Sequence, residues 1–181
     1  MFQKYTTKHD GVGTVVDVEI DYDASIIKRS FHEGSVTVNG TQHEYKNDEV
    51  TEFFENEIYW LQELKSKWVP ELIDIDYTKK EILQKYYGPC LLDSYNNKKY
   101  LIYVPDIKKQ IIEMYTFFKE KNVYKRNGSL SNLTHNNGQL IAFDFKWAKQ
   151  RPKGKKMEIF SYDTWLVKID KTLPAKLKEI A

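Results

Sequence analysis

Cysteine is nearly absent. The chain of 181 residues has a single one, Cys90, which excludes an intrachain disulfide and suits a reducing compartment. No apolar run approaches the roughly 20 residues that a membrane-crossing helix needs. The opening residues, Met-Phe-Gln-Lys-Tyr-Thr-Thr-Lys, are too polar for a secretory signal. Together these absences predict a cytoplasmic protein with no membrane partner. A surplus of one sign of charge is missing as well: the net charge is +2, which gives no case for bulk nucleic-acid binding. No repeat and no low-complexity linker interrupts the chain.

What is plentiful is charge of both signs and aromatic surface. Charged residues make up 30%, aromatic residues 14%, and 13 residues are tyrosine. That composition is globular rather than disordered. The length suffices for one sizeable core or two small lobes. Richness in Lys, Asn and Tyr is also compatible with a small viral (phage) or mobile-element accessory protein.

The region up to about residue 42 reads as antiparallel β-structure. Thr14 to Ile20 alternates, with Val16, Val18 and Ile20 on one face and Asp17 and Glu19 on the other. Ser25 to Phe31 is a second strand. Val36 to Val38, the pair Asn39-Gly40 and Thr41 to Tyr45 read as a hairpin. Asn47 to Lys65 is the clearest helix, with Asn47 as its cap and Asp48, Glu49 and Glu52 near the positive end of its dipole. Its apolar rows are Phe54, Ile58, Leu61 and Phe53, Trp60, Leu64. Glu57 falls inside that stripe, so it needs a cation or a route to solvent. Leu72 to Asp74 and Glu81 to Tyr87 are further strands. Asp106 to Lys121 is a second helix, with Asp106 as cap, Ile107, Ile111, Tyr115 and Phe118 in one row, and Asn122 at its end.

The following stretch, Tyr124 to Phe145, carries the chemistry. A polar loop leads to Leu133, His135 to Gly138 forms a turn containing Asn-Gly, and Leu140 to Phe145 is an apolar strand. Asp144 near the end of that strand must meet a cation, a metal or water. Closing the hairpin brings Asn132 beside it. An amide oxygen and a carboxylate so placed suit Mg²⁺, which takes hard oxygen ligands.

An Asn, a hairpin, and then apolar-apolar-Asp-Phe resembles the catalytic loop and metal-binding strand of the protein-kinase-like superfamily. The resemblance extends over most of the chain, from about Lys28 to Phe145. It implies an α+β, protein-kinase-like fold, with an antiparallel N-lobe over residues 1–87 and a reduced, mostly helical C-lobe over 88–181. It further implies ATP and Mg²⁺ in an interlobe cleft, with Asn132 and Asp144 as metal ligands. Lys28, in Ser-Ile-Ile-Lys-Arg-Ser-Phe, would contact phosphates and pair with Glu57. The alternatives are that Lys28 faces outward or that Lys46 is the strand lysine. Gly11 and Gly13 fall where a phosphate-covering turn would lie, or serve only as turn residues. Gln84, Tyr86 and Tyr87 would lie along the adenine, offering backbone hydrogen bonds; otherwise the tyrosines are edge-strand core.

This chain departs from the family at decisive places. The catalytic Asp should stand five residues before Asn132, and Asn127 is there instead. The glycine after Asp-Phe is replaced by Lys146. Lys125 and Arg126 add positive charge before Asn127. A basic loop from Lys146 to Lys156 stands where an activation segment would be, and is either a solvated surface or a dock for an anionic partner. Asp163 would hold the catalytic loop. The chain ends at Ala181, where the family continues into a larger helical lobe. These features imply a small kinase-like nucleotide-binding protein with weak or altered phosphotransferase activity, or a pseudokinase-type scaffold for a protein partner.

Overall fold

Alternating side chains and closely spaced turns build an antiparallel sheet from the first half of the chain. The computed structural model describes residues 1–5, 15–38, 40–92, 99–125, 129–150 and 164–180. Strands β1 (Gln3–Tyr5), β2 (Val16–Asp21) and β3 (Ile26–Phe31) come first. Among the described residues, strands β4 (Gly34–Val38) and β5 (Thr41–Tyr45) pair only with each other, as a separate hairpin. Helix α1 (Asn47–Glu63) follows, then β6 (Leu72–Asp76) and β7 (Glu81–Lys85). The main sheet has the order β1-β2-β3-β7-β6, antiparallel throughout. The fold class is mixed α+β.

By internal packing the chain forms two units. The first comprises Met1–Tyr59 and Glu71–Tyr86, the second Trp60–Pro70 and Tyr87–Ala181. The sequence suggested one boundary, after residue 87; the chain instead changes unit after residues 59, 70 and 86.

In the first unit, Ile20, Phe31, Val50, Phe53, Phe54, Ile58 and Ile82 are buried. Phe54 meets Phe31 and Tyr77 edge-on, at centroid distances of 5.6 Å and 5.8 Å. Asn47 is the first residue of α1 rather than its cap. Its side-chain oxygen accepts from Lys80 at 2.5 Å, while Glu33 and Glu49 accept the backbone N–H groups of Asn47 and Lys46. Glu49 thus meets the positive helix end as the sequence predicts, and Glu33, from outside the helix, joins it.

In the second unit, the short helix α2 (Tyr100–Tyr103) precedes α3 (Ile107–Glu120). Strand β8 (Val123–Tyr124) pairs with β11 (Lys149–Gln150), and β9 (Leu133–Asn136) with β10 (Gln139–Ala142). A 3₁₀ turn, Leu130–Asn132, leads into β9. Helices α4 (Thr164–Ile169) and α5 (Leu173–Ile180) close the unit. Ile107, Ile111, Met114, Tyr115 and Phe118 of α3 are buried, as the helical spacing predicts. Asp106 sits at the start of α3 with φ 52° and makes no side-chain cap bond, contrary to expectation; Asn122, with φ 57°, does end the helix in left-handed conformation.

Candidate functional site

The site begins with strand alternation in the first unit. Successive side chains of β3 point to opposite faces of the sheet. Lys28 stands opposite Glu19 of β2 and forms an ion pair with it; Glu81 lies 3.8 Å away. The hydrogen bond that Lys28 donates to Glu19, more than any other influence, raises the Lys28 ammonium above its ordinary range. The next residue, Arg29, points to the other face, where it forms a buried ion pair with Glu57 of α1. Glu57 is 0% exposed and Arg29 is 7% exposed. The expected pairing is corrected by one position: the helix carboxylate has its cation, and that cation is Arg29, not Lys28. The rival, Lys46, is exposed and lies 3.6 Å from Glu44.

The signal for Arg29 was present in the sequence. Ile27, Arg29 and Phe31 share a face by period two, and Phe31 is core. Reading inward from Phe31 picks out Arg29. The similarity of Ile-Ile-Lys to a known strand pattern points instead to the neighbouring residue, Lys28.

Further along the same sheet, Gln84 of β7 is opposite Ile27 and is buried. Two backbone donors of this segment are engaged within the unit. Lys85 N–H donates to the Glu71 carbonyl at 2.9 Å and Tyr86 N–H to the Ser25 carbonyl at 2.8 Å. The Tyr86 ring meets Tyr22 edge-on at 5.8 Å, and Tyr87, the first residue after the first unit, is partly exposed.

In the second unit the hairpin closes as read. Asn137 and Gly138 both have positive φ, 48° and 87°, which is the backbone of a two-residue type I′ turn. Phe143 N–H donates to the Asn132 carbonyl at 3.0 Å, so the hairpin brings Asn132 within one residue of Asp144. Asp144 has φ 65°, in the left-handed region that Asp tolerates better than most residues. Its carboxylate oxygen Oδ1 accepts from Lys146 Nζ at 2.5 Å, and its backbone carbonyl accepts from Lys125 Nζ at 3.0 Å.

Lys125 is 2% exposed, and its ammonium also lies 4.9 Å from the centroid of the Phe145 ring, a cation–π distance. Phe145 in turn meets Phe118 of α3 edge-on at 5.9 Å. Burial of Lys125 carries no sequence signal, because its loop has no periodicity. Among the described residues, no group of three or more His, Cys, Asp or Glu side chains could hold a metal ion. Gly11, Gly13, Asn127, the basic loop from Arg151 to Lys156 and Asp163 lie outside the described residues.

A clamp fixes the hairpin to the second unit. Gln110 of α3 donates through Nε2 to the Pro105 and Gly138 carbonyls, both at 2.8 Å, and accepts through Oε1 from Leu140 N–H at 2.7 Å. His135 stacks on Tyr103 at 5.4 Å, and burial holds its imidazole below the ordinary range.

No known family model and no curated protein matches this chain. Among the described residues, no helix is long and apolar enough to cross a membrane.

Proposed function

We propose that this chain is a small kinase-like protein that binds ATP together with Mg²⁺ and has weak or altered phosphotransferase activity. The observation that carries the reading is the buried Arg29–Glu57 pair, a strand cation held by a helix carboxylate. A buried ion pair is a costly device for stability alone, because desolvation offsets much of the attraction. An arginine so held stays charged and offers planar donors suited to phosphate.

The second unit lends separate support. Asn132 and Asp144 are oxygen donors of the kind Mg²⁺ accepts, and Mg²⁺ commonly completes its shell with phosphate and water rather than a protein cage. A bound Mg²⁺ would screen phosphate charge. Lys125 grips the Asp144 carbonyl and steadies a left-handed backbone that would otherwise relax, a strain typical of functional positions. Asn127 is an amide and does not accept a proton near neutral pH. It orients a hydroxyl at best, which keeps any transfer slow.

A scaffold without catalysis, recognising a protein partner, is the second reading. It is favoured by Lys146, which engages the Asp144 carboxylate directly and would compete with a metal there.

Thermal melting with ATP, with and without Mg²⁺, separates the two. A ligand at a hundred times its Kd stabilises the native state by about 2.7 kcal/mol. The expected result is a Mg²⁺-dependent rise for the wild type, none for Asp144→Ala, and a larger rise for Lys146→Ala. No rise in any variant would leave the scaffold reading.

A further inference from the structure

Gln84 is 2% exposed, and its Nε2 has no hydrogen-bond partner among the described residues. A buried primary amide in that condition calls for a partner, either a water or a ligand. Its place in the sheet narrows the choice. Gln84 stands opposite Ile27 on β3, and Ile27 shares its face with Arg29 two residues on. The unsatisfied amide and the buried Arg29–Glu57 pair are therefore on one face of one sheet. The N–H groups of Lys85 and Tyr86 on the same segment are used within the unit. The Gln84 amide nitrogen is a polar group still open to a ligand.

We propose that Gln84 reads the polar edge of a nucleobase; this rests on the nucleotide-binding function inferred above. A primary amide offers a donor and an acceptor, and rotation about its last bond exchanges them. Adenine presents an amino donor at its six-position and guanine a carbonyl acceptor. One glutamine satisfies either base. The site therefore accepts both ATP and GTP, and the side chain, not the strand backbone, sets that tolerance.

The test is titration of the purified full chain with ATP·Mg²⁺ and GTP·Mg²⁺, alongside melting of the nucleotide-free protein, for wild type, Gln84→Leu and Gln84→Glu. The wild type is expected to bind both within about tenfold of each other. Gln84→Leu raises the melting temperature of the nucleotide-free protein, because an uncompensated amide is removed, yet weakens both nucleotides by about tenfold. Gln84→Glu, an acceptor only when ionised, keeps ATP and loses GTP by about tenfold or more in buffer alkaline enough to ionise it. A purely structural role for Gln84 does not raise stability and lower affinity in the same variant. A lower melting temperature for Gln84→Leu would show an amide satisfied by a structural water and would overturn the proposal. Unchanged affinity for both nucleotides in Gln84→Leu, or a wild type that distinguishes the bases by more than about a hundredfold, would overturn it while leaving nucleotide binding intact. A wild type that binds neither nucleotide removes the function itself, and this inference with it.

Discussion

Moving a cation by one position along a strand changes the side of the sheet on which it stands. Lys28 faces Glu19 and keeps contact with solvent; Arg29 is shut in with Glu57. Removing one member of a buried pair strands the other, at a cost of about 3–5 kcal/mol. Glu57→Ala is expected to lose that much in urea-monitored unfolding, and Lys28→Ala less than about 1 kcal/mol, as for an ordinary surface pair. The double change Arg29→Met with Glu57→Leu should recover most of the loss, since no charge is left unpaired. Asp170 is a different case, at the surface. It accepts from Thr172 N–H and hydroxyl, both at 2.8 Å, and from Lys108 at 3.2 Å. These contacts, the Thr172 N–H foremost, lower its pKa from 3.8 to about 2. A carboxyl lowered on folding contributes stability that is present in full above its unfolded pKa and is lost as pH falls through the folded one. The melting-temperature advantage of the wild type over Asp170→Asn should therefore hold steady above pH 3.8 and disappear toward about pH 2.

At the scale of elements, the β9–β10 hairpin is held by its tip. Gln110 satisfies two backbone groups of the hairpin and one just before α3, and a Cβ on Gly138 would come within 3.0 Å of Pro105 Cδ while the backbone holds φ +87°. Gln110→Ala and Gly138→Ala are each expected to cost about 1–3 kcal/mol in equilibrium unfolding. Their combination should cost less than the sum, because both loosen the same turn. Much of this was legible beforehand. Asn137-Gly138 announced the hairpin, helical spacing put Glu57 in a buried stripe, and alternation gave β2 and β3. What stayed hidden has a common physical cause. Lys125 and Gln110 owe their roles to partners distant in sequence, and no local period encodes a long-range hydrogen bond. Asp106 and Asn47 depart from the cap preference of their residue types: Asp106 has a left-handed backbone and makes no side-chain cap bond, and the Asn47 side chain accepts from Lys80 instead.

For the whole molecule, the decisive fact is that the chain changes unit after residues 59, 70 and 86. Trp60, Leu61, Leu64, Trp68 and Val69 are buried and count with the second unit, although the first unit's residues flank them on both sides. Ala142 N–H of β10 donates to the Trp68 carbonyl at 2.8 Å, so this loan of eleven residues, 60 to 70, is stitched into the hairpin sheet. Fragments 1–87 and 88–181, expressed apart, should each bind a hydrophobic dye and fail to melt cooperatively; mixing them should restore a cooperative transition. Two well-folded, independently melting halves would contradict that. No single pair of scissors divides this protein: a cut that spares the larger sheet takes two tryptophans away from its neighbour, and evolution or an engineer must move both pieces together.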